Sequence, residues 1–594
     1  MHSTVHFAEY RTLLGTYLRP QRVRVFLLAF LLLGSVGLQL LNPQVIRYFI
    51  DTTQAGGPAD ALLAAAITFI AIGLAQRAVA LATTYVSINL GWAATNALRS
   101  DLAAHCLRLD MPFHKTHTPG ELIERIDGDV TLLAGFFSQF VIRVVGNAIL
   151  ILAVLVLLFR EDWRAGLALT VYILITLAAL AALQNFGVRR WAASRQAWAE
   201  QWGFLEERLA GTEDIRGSGA EAYMLHRLYS LMRAVLEKGR GAKMASSLSE
   251  VITSFLFISG YGLGLALGAY LYSQGAVTIG AAFLIVYYIG MLAAPLETIR
   301  DQAQELQQAT AGIARVRQLF DLQPQVRDTP RTVLPLGALG VTFDGVSFAY
   351  DDRAPDAPAA AENGGRVLHD VTFDLPPGRV LGVLGRTGSG KTTLTRLLFR
   401  LYDPTAGAIR LSGVDIRDVP FADLRGRTGM VTQDVQLFQA SIRDNIAFFN
   451  PRIGDGQIRQ ALAELDLQDW VAAMPDGLDT TLGAGGQGMS AGEAQLLAFA
   501  RVFLKDPGLV ILDEAASHLD PVTEHRLERA IDRLLAARTG IIIAHRLRTV
   551  QRADDILILE GGRVVEYGPR AALAADPHSR FYRLLQTGLE EALA

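Results

Sequence analysis

The chain has 594 residues, enough for two or more domains with sizeable cores, and is 51% hydrophobic but only 19% charged, below the roughly 25% charged that is usual for soluble domains. Its formal net charge of −3 gives no reason to expect a nucleic-acid partner, and a lone cysteine, Cys106, excludes an internal disulfide. Only five of the 55 basic residues are lysine, a compositional hint of a GC-rich bacterial genome.

The apolar excess lies before about residue 320. Six stretches, roughly 24–48, 60–88, 136–159, 165–186, 250–272 and 279–300, reach the about 20 mostly apolar residues that a bilayer core requires. The first follows a charged, tyrosine-containing lead (Glu9, Tyr10, Arg11, Tyr17, Arg19) and lacks a small-residue cleavage site. It is therefore expected to stay as an anchor, with the N-terminus in the cytosol. Long polar connections separate the second span from the third and the fourth from the fifth. Segment 187–245 carries ten Lys and Arg, from Arg189 to Lys243, and segment 91–135 carries Arg99, Arg108, Lys115 and Arg125. The short loops at 51–59 and 273–278 carry none. Basic residues are retained on the cytoplasmic side, so both long connections and both termini are expected inside.

Residues 91–110 and 188–210 keep a helical apolar rhythm, which predicts helices that continue past the membrane. Each connection has a polar break, Thr116–Gly120 and Gly211–Gly219, where short helices can meet another domain or simply be solvated. Arg47, Arg77 and Arg143 lie within spans and should face water or a partner, as substrate contacts or as structural pairs. Tyr261, Tyr287, Tyr288, Phe136, Phe137 and Phe140 can line an apolar pocket or pack as ordinary core. Pro295 removes one backbone bond from the sixth helix and permits a kink.

Beyond the membrane half, a connector at 321–336, with Gln323–Pro335 at its centre, leads to β-rich stretches Val341–Tyr350 and Val367–Leu375. Between them Asp351–Arg366, rich in Ala, Pro and Asp, reads as a surface hairpin excursion. Then comes an apolar strand, Arg379–Leu384, the loop Gly385-Arg386-Thr387-Gly388-Ser389-Gly390-Lys391-Thr392, and a helix from Thr393. That is a P-loop in the strand–loop–helix setting that gives it meaning. Its glycines let successive N–H groups turn inward around phosphates at a helix N-terminus. Lys391 would reach the β- and γ-phosphates of ATP, and Thr392 would hold Mg²⁺. A second apolar strand, Leu509–Leu512, delivers Asp513 and Glu514; the first can orient Mg²⁺ and the second can polarise an attacking water. A third, Gly540–Ala544, delivers His545, placed to contact the γ-phosphate.

In this order the motifs resemble those of ATP-binding cassette (ABC) transporters, specifically half-transporters of the multidrug-exporter and lipid-flippase type, and the resemblance covers nearly the whole chain. It implies an α-helical membrane domain (1–320) with six transmembrane helices and long intracellular extensions. It also implies an α/β P-loop NTPase domain (337–594) with an antiparallel β subdomain and a helical subdomain. By this resemblance Tyr350 stacks on adenine, and Gln433 is the Q-loop residue that touches Mg²⁺ and the coupling surface. Ser517–Asp520 matches the D-loop, and loops near 113–130 and 211–222 match the coupling helices. The signature Leu-Ser-Gly-Gly-Gln stands here as Met489-Ser490-Ala491-Gly492-Glu493. Ala491 adds a Cβ where backbone must approach a nucleotide, and Glu493 puts a carboxylate near an anionic ligand.

The resemblance implies ATP-driven alternating access: two cassettes clamp two ATP molecules, each site pairing one P-loop and Thr393 with the partner's Ser490, Ala491, Gly492, Glu493 and Asp520. The expected partners are a second half-transporter, with a heterodimer favoured over a homodimer, the lipid bilayer, and a small amphipathic substrate. Most chains of this architecture export; some import siderophores, and some relatives have become gated channels. The intact Glu514 and His545 argue against a channel.

Overall fold

The first half of the chain folds mainly into α-helices, some of them far longer than a bilayer requires. In chain order they are α1 (Arg22–Gln54), α2 (Ala59–Arg108), α3 (Met111–Thr116), α4 (Asp129–Phe140), α5 (Asn147–Glu161), α6 (Trp163–Gln184), α7 (Val188–Ala210), α8 (Thr212–Gly217), α9 (Glu221–Ser273) and α10 (Ile279–Asp321). Helices α2 and α9 have 50 and 53 residues. At 1.5 Å per residue they run about 75 and 80 Å, against about 30 Å of hydrocarbon. Six segments of the described residues are long and apolar enough to cross a membrane, and they fall on the six stretches expected. The break at 211–219 holds the short helix α8, whereas α3 ends at Thr116, where the break at 116–120 begins.

The computed structural model describes residues 15–184, 187–328, 331–350, 365–432, 435–483, 489–513, 521–544 and 547–587. Two units emerge: residues 1–107 with 120–322, and residues 108–119 with 323–594. Segment 108–119, containing α3, thus belongs with the second half of the chain. Asp110 explains how it is held there: its carboxylate accepts hydrogen bonds from the backbone amides of Gln325 and Val326.

Within the first unit α10 is the most enclosed helix. Leu284, Ile285, Tyr288, Leu292 and Leu296 are fully buried, in one core with Val154, Leu158, Leu169 and Leu271. Tyr288 is packing: Gln44 Nε2 donates to its hydroxyl at 2.9 Å. Tyr261 and Tyr287 are half-exposed, and the side chains of Phe136, Phe137 and Phe140 lie outside the described residues. Helix α10 continues through Pro295. Arg47 is a structural pair, joined to Glu161 and, at 3.6 Å, to Asp51. Asp51 in turn accepts from Thr278 Oγ1 and Gly280 N, both at 2.9 Å, where a carboxylate favours the N-terminus of α10. At the opposite end of α10, Arg315 forks onto buried Asp129 of α4, a bidentate pair of the stronger kind.

The second unit carries two sheets. The antiparallel one has order β2-β1-β4-β5, from β1 (Val341–Ala349), β2 (Arg366–Leu375), β4 (Ala406–Leu411) and β5 (Val414–Asp415). The larger has order β10-β9-β3-β8-β7-β6, from β3 (Val380–Leu384), β6 (Thr428–Val431), β7 (Leu509–Asp513), β8 (Thr539–Ile543), β9 (Asp555–Glu560) and β10 (Arg563–Pro569). Strands β9, β3, β8, β7 and β6 are parallel, and β10 is antiparallel at one edge. Strands β3 and β8 are buried at every position, as expected of parallel strands covered on both faces. The excursion expected at 351–366 lies almost wholly outside the described residues, but its flanks pair, Ala349 with Arg366.

Candidate functional site

The P-loop connects β3 to α11 (Lys391–Leu398). Gly385 and Gly390 have φ of +151° and +104°, conformations in which L side chains are strained. Space makes the same demand: a Cβ at Gly385 would lie 2.3 Å from Leu559 O, and one at Gly390 would lie 2.6 Å from Leu368 Cδ2. A Cβ at Gly388 would meet nothing within 4 Å, so that residue borders open space. Lys391 is buried, and its Nζ donates to the carbonyls of Gly385 at 2.6 Å and Arg386 at 3.1 Å. It therefore lies along the inside of the loop. The buried hydroxyl of Ser389 has no hydrogen-bond partner among the described residues. A tight backbone turn, an inward ammonium and an unused hydroxyl at a helix N-terminus suit a nucleotide polyphosphate. Thr392 is exposed beside this loop, while Thr393 is buried.

Tyr350 follows β1 and is tied to the same helix. Its hydroxyl is 3.0 Å from Thr393 Oγ1 and accepts from Arg396 Nη1 at 3.2 Å. Phe348 and Tyr402 meet its ring nearly perpendicularly, with centroids at 4.8 and 5.1 Å. Asp513 ends β7, opposite Ile543 of β8 in register. Gln433, Glu514, Ser517–Asp520 and His545 lie outside the described residues.

The signature segment opens helix α12 (Ala491–Lys505), with Ser490 as its N-cap. Ser490 Oγ accepts from Glu493 N at 3.3 Å, while Glu493 Oε2 accepts from Ser490 N at 2.8 Å and from Ser490 Oγ at 2.9 Å. That reciprocal arrangement is a capping box. Trp470 Nε1 donates to the other carboxylate oxygen at 2.9 Å. Glu493 is thus folded back over the end of its own helix. Ala491 is exposed and Gly492 buried, so the extra Cβ stands on the surface. Further along α12, Arg501 donates to Asn445 O, Gln436 O and Asn445 Oδ1. Burial lowers the pKa of its guanidinium from the ordinary value. Sequence reading missed Trp470 and Arg501, whereas the Ser-x-x-Glu spacing of the capping box was available in it.

A helical membrane unit joined to a P-loop unit with a capped signature helix defines an ATP-driven membrane transporter subunit. The family models agree: residues 25–296 match the ABC transporter transmembrane region and residues 368–517 match the ABC transporter domain. The ATP-dependent lipid A-core flippase of Cupriavidus metallidurans is 32% identical, covering 94% of this chain and 92% of that one. The fatty acid ABC transporter ATP-binding/permease protein of Mycobacterium bovis is 33% identical, covering 80% and 74%. A bacterial Atm1-family ABC exporter with ATP bound superposes with a TM-score of 0.78 at 26% identity, covering 95% of this chain and 98% of that one. The chain belongs to the ABC transporter family, as an exporter-type half-transporter that spans the membrane, works as a dimer and couples ATP hydrolysis to transport.

Proposed function

We propose that residues 1–320 form the transporting domain and 337–594 the ATPase cassette, with both termini and the cassette on the cytoplasmic side of a bacterial inner membrane. The P-loop carries this reading, through the inward Lys391 Nζ and the two glycines at positive φ. Gly385–Thr393 surrounds the phosphates, Tyr350 stacks on adenine, and Thr392, Asp513 and Gln433 hold Mg²⁺. Glu514 polarises the attacking water and His545 contacts the γ-phosphate. Ser490, Ala491, Gly492, Glu493 and Asp520 close the partner's site. Segments 113–130 and 211–222 carry movement between cassette and membrane helices. The cargo is a small amphipathic molecule; lipid A-core and fatty acid appear in the names of two relatives. The test is Glu514→Gln in the purified transporter in lipid. ATP binding should persist while turnover falls by about 10²-fold or more, the scale of losing a general base. Turnover within a factor of three of wild type refutes the assignment.

We further propose that the working dimer is a heterodimer. The observation favouring it is the Glu493 carboxylate, which holds both the N–H and the hydroxyl of Ser490, groups that a nucleotide on the partner would need. A partner with an ordinary signature completes the site built on this chain's P-loop, while the site facing Glu493 turns over slowly.

A further inference from the structure

The ring of Tyr350 carries a feature that the nucleotide reading leaves unused. Lys115, on α3, places its Nζ 4.1 Å from the Tyr350 ring centroid and 5.5 Å from that of Tyr402. Both partners belong to the second unit, which includes residues 108–119, and the position of α3 is anchored by Asp110 on the amides of Gln325 and Val326. The Lys115 side chain is exposed and its ammonium lies over the π-face, the geometry of a cation–π contact. Tyr350 cannot readily turn away, because Thr393 and Arg396 hold its hydroxyl and two perpendicular rings flank it.

We propose that Lys115 is a specificity-determining residue of the nucleotide site, competing with the purine base for the face of Tyr350, so that ATP entry detaches the Lys115 end of α3 while Asp110 keeps its other end anchored. This rests on Tyr350 being the adenine seat. A planar base and an ammonium both seek the electron-rich ring face and cannot occupy the same face together. Base binding therefore displaces Lys115 and frees the tip of a segment continuous in sequence with α2. The nucleotide is thereby read at its base as well as at its phosphates, by the loop that follows the second membrane helix.

The competition fixes the sign of a binding experiment. With the full-length transporter in lipid nanodiscs and EDTA present to prevent turnover, ATP affinity is measured by thermophoresis. Lys115→Met should bind ATP about three-fold more tightly, the scale of an exposed cation–π contact. Lys115→Arg, which keeps the cation, should match wild type. Inorganic tripolyphosphate, which has no base, should gain nothing from Lys115→Met. Tyr350→Ala should weaken ATP about ten-fold and erase the effect of Lys115→Met. Weakened or unchanged ATP binding in Lys115→Met, with the expected loss in Tyr350→Ala, overturns the role of Lys115 alone. Unchanged affinity in Tyr350→Ala overturns the adenine seat and, with it, this inference.

Discussion

Replacing Glu493 by glutamine removes one charge and leaves the side-chain shape almost unaltered. In the folded protein the carboxylate accepts from Ser490 N, Ser490 Oγ and Trp470 Nε1. The amide oxygen of Gln can keep the two Ser490 bonds, but its NH₂ then faces the Trp470 N–H, donor against donor. A hydrogen bond to a charged acceptor contributes about 1.5–3 kcal/mol. Trp470 is half-buried, so water recovers part of this, and the net loss should be about 1–2 kcal/mol. For a domain of this size that lowers Tm by roughly 3–6 °C. Function should move the opposite way. Like charges at an effective dielectric constant of about 20 repel by about 4 kcal/mol at 4 Å, so removing the carboxylate should help an anionic nucleotide approach Ser490. Even one-third of that energy is about a ten-fold effect. The assay is phosphate release by the chain purified alone in nanodiscs, alongside thermal unfolding of the same samples. Turnover should rise at least several-fold in Glu493→Gln despite the lower Tm, and Glu493→Ala should share the gain. Turnover at or below wild type in both variants would show that Glu493 shapes the signature helix and does not block it.

Two further substitutions test the framework on either side of the site. Gly385→Ala forces a Cβ to within 2.3 Å of Leu559 O at φ +151°; equilibrium binding should show ATP and tripolyphosphate affinity both reduced more than ten-fold, because the loop itself is displaced. Arg315→Leu strands Asp129, whose side chain is 2% exposed. Unfolding in detergent should reveal a loss of about 2–3 kcal/mol, below the 3–5 for a fully buried pair. Most of it should return in the double variant with Asp129→Leu.

The amino-acid sequence determined every feature that depends on local pattern. Apolar length sets the six spans, because a bilayer core demands about 20 residues whatever surrounds them. The P-loop, the strand ending at Asp513 and the strand before His545 were legible because each joins a fixed apolar run to a fixed polar tip. Even the fold-back of Glu493 onto Ser490 follows from a four-residue spacing. The tertiary structure decided the contacts between residues far apart in the chain. No local pattern relates Arg47 to Glu161, Asp129 to Arg315 or Trp470 to Glu493; these pairs form only when buried or half-buried charges and donors must find partners as helices pack. The assignment of segment 108–119 to the second unit is of the same kind. Read along the chain, Lys115 is one more basic residue in a polar connection. Only folding, with Asp110 on the backbone amides of Gln325 and Val326, brings its ammonium to the face of Tyr350.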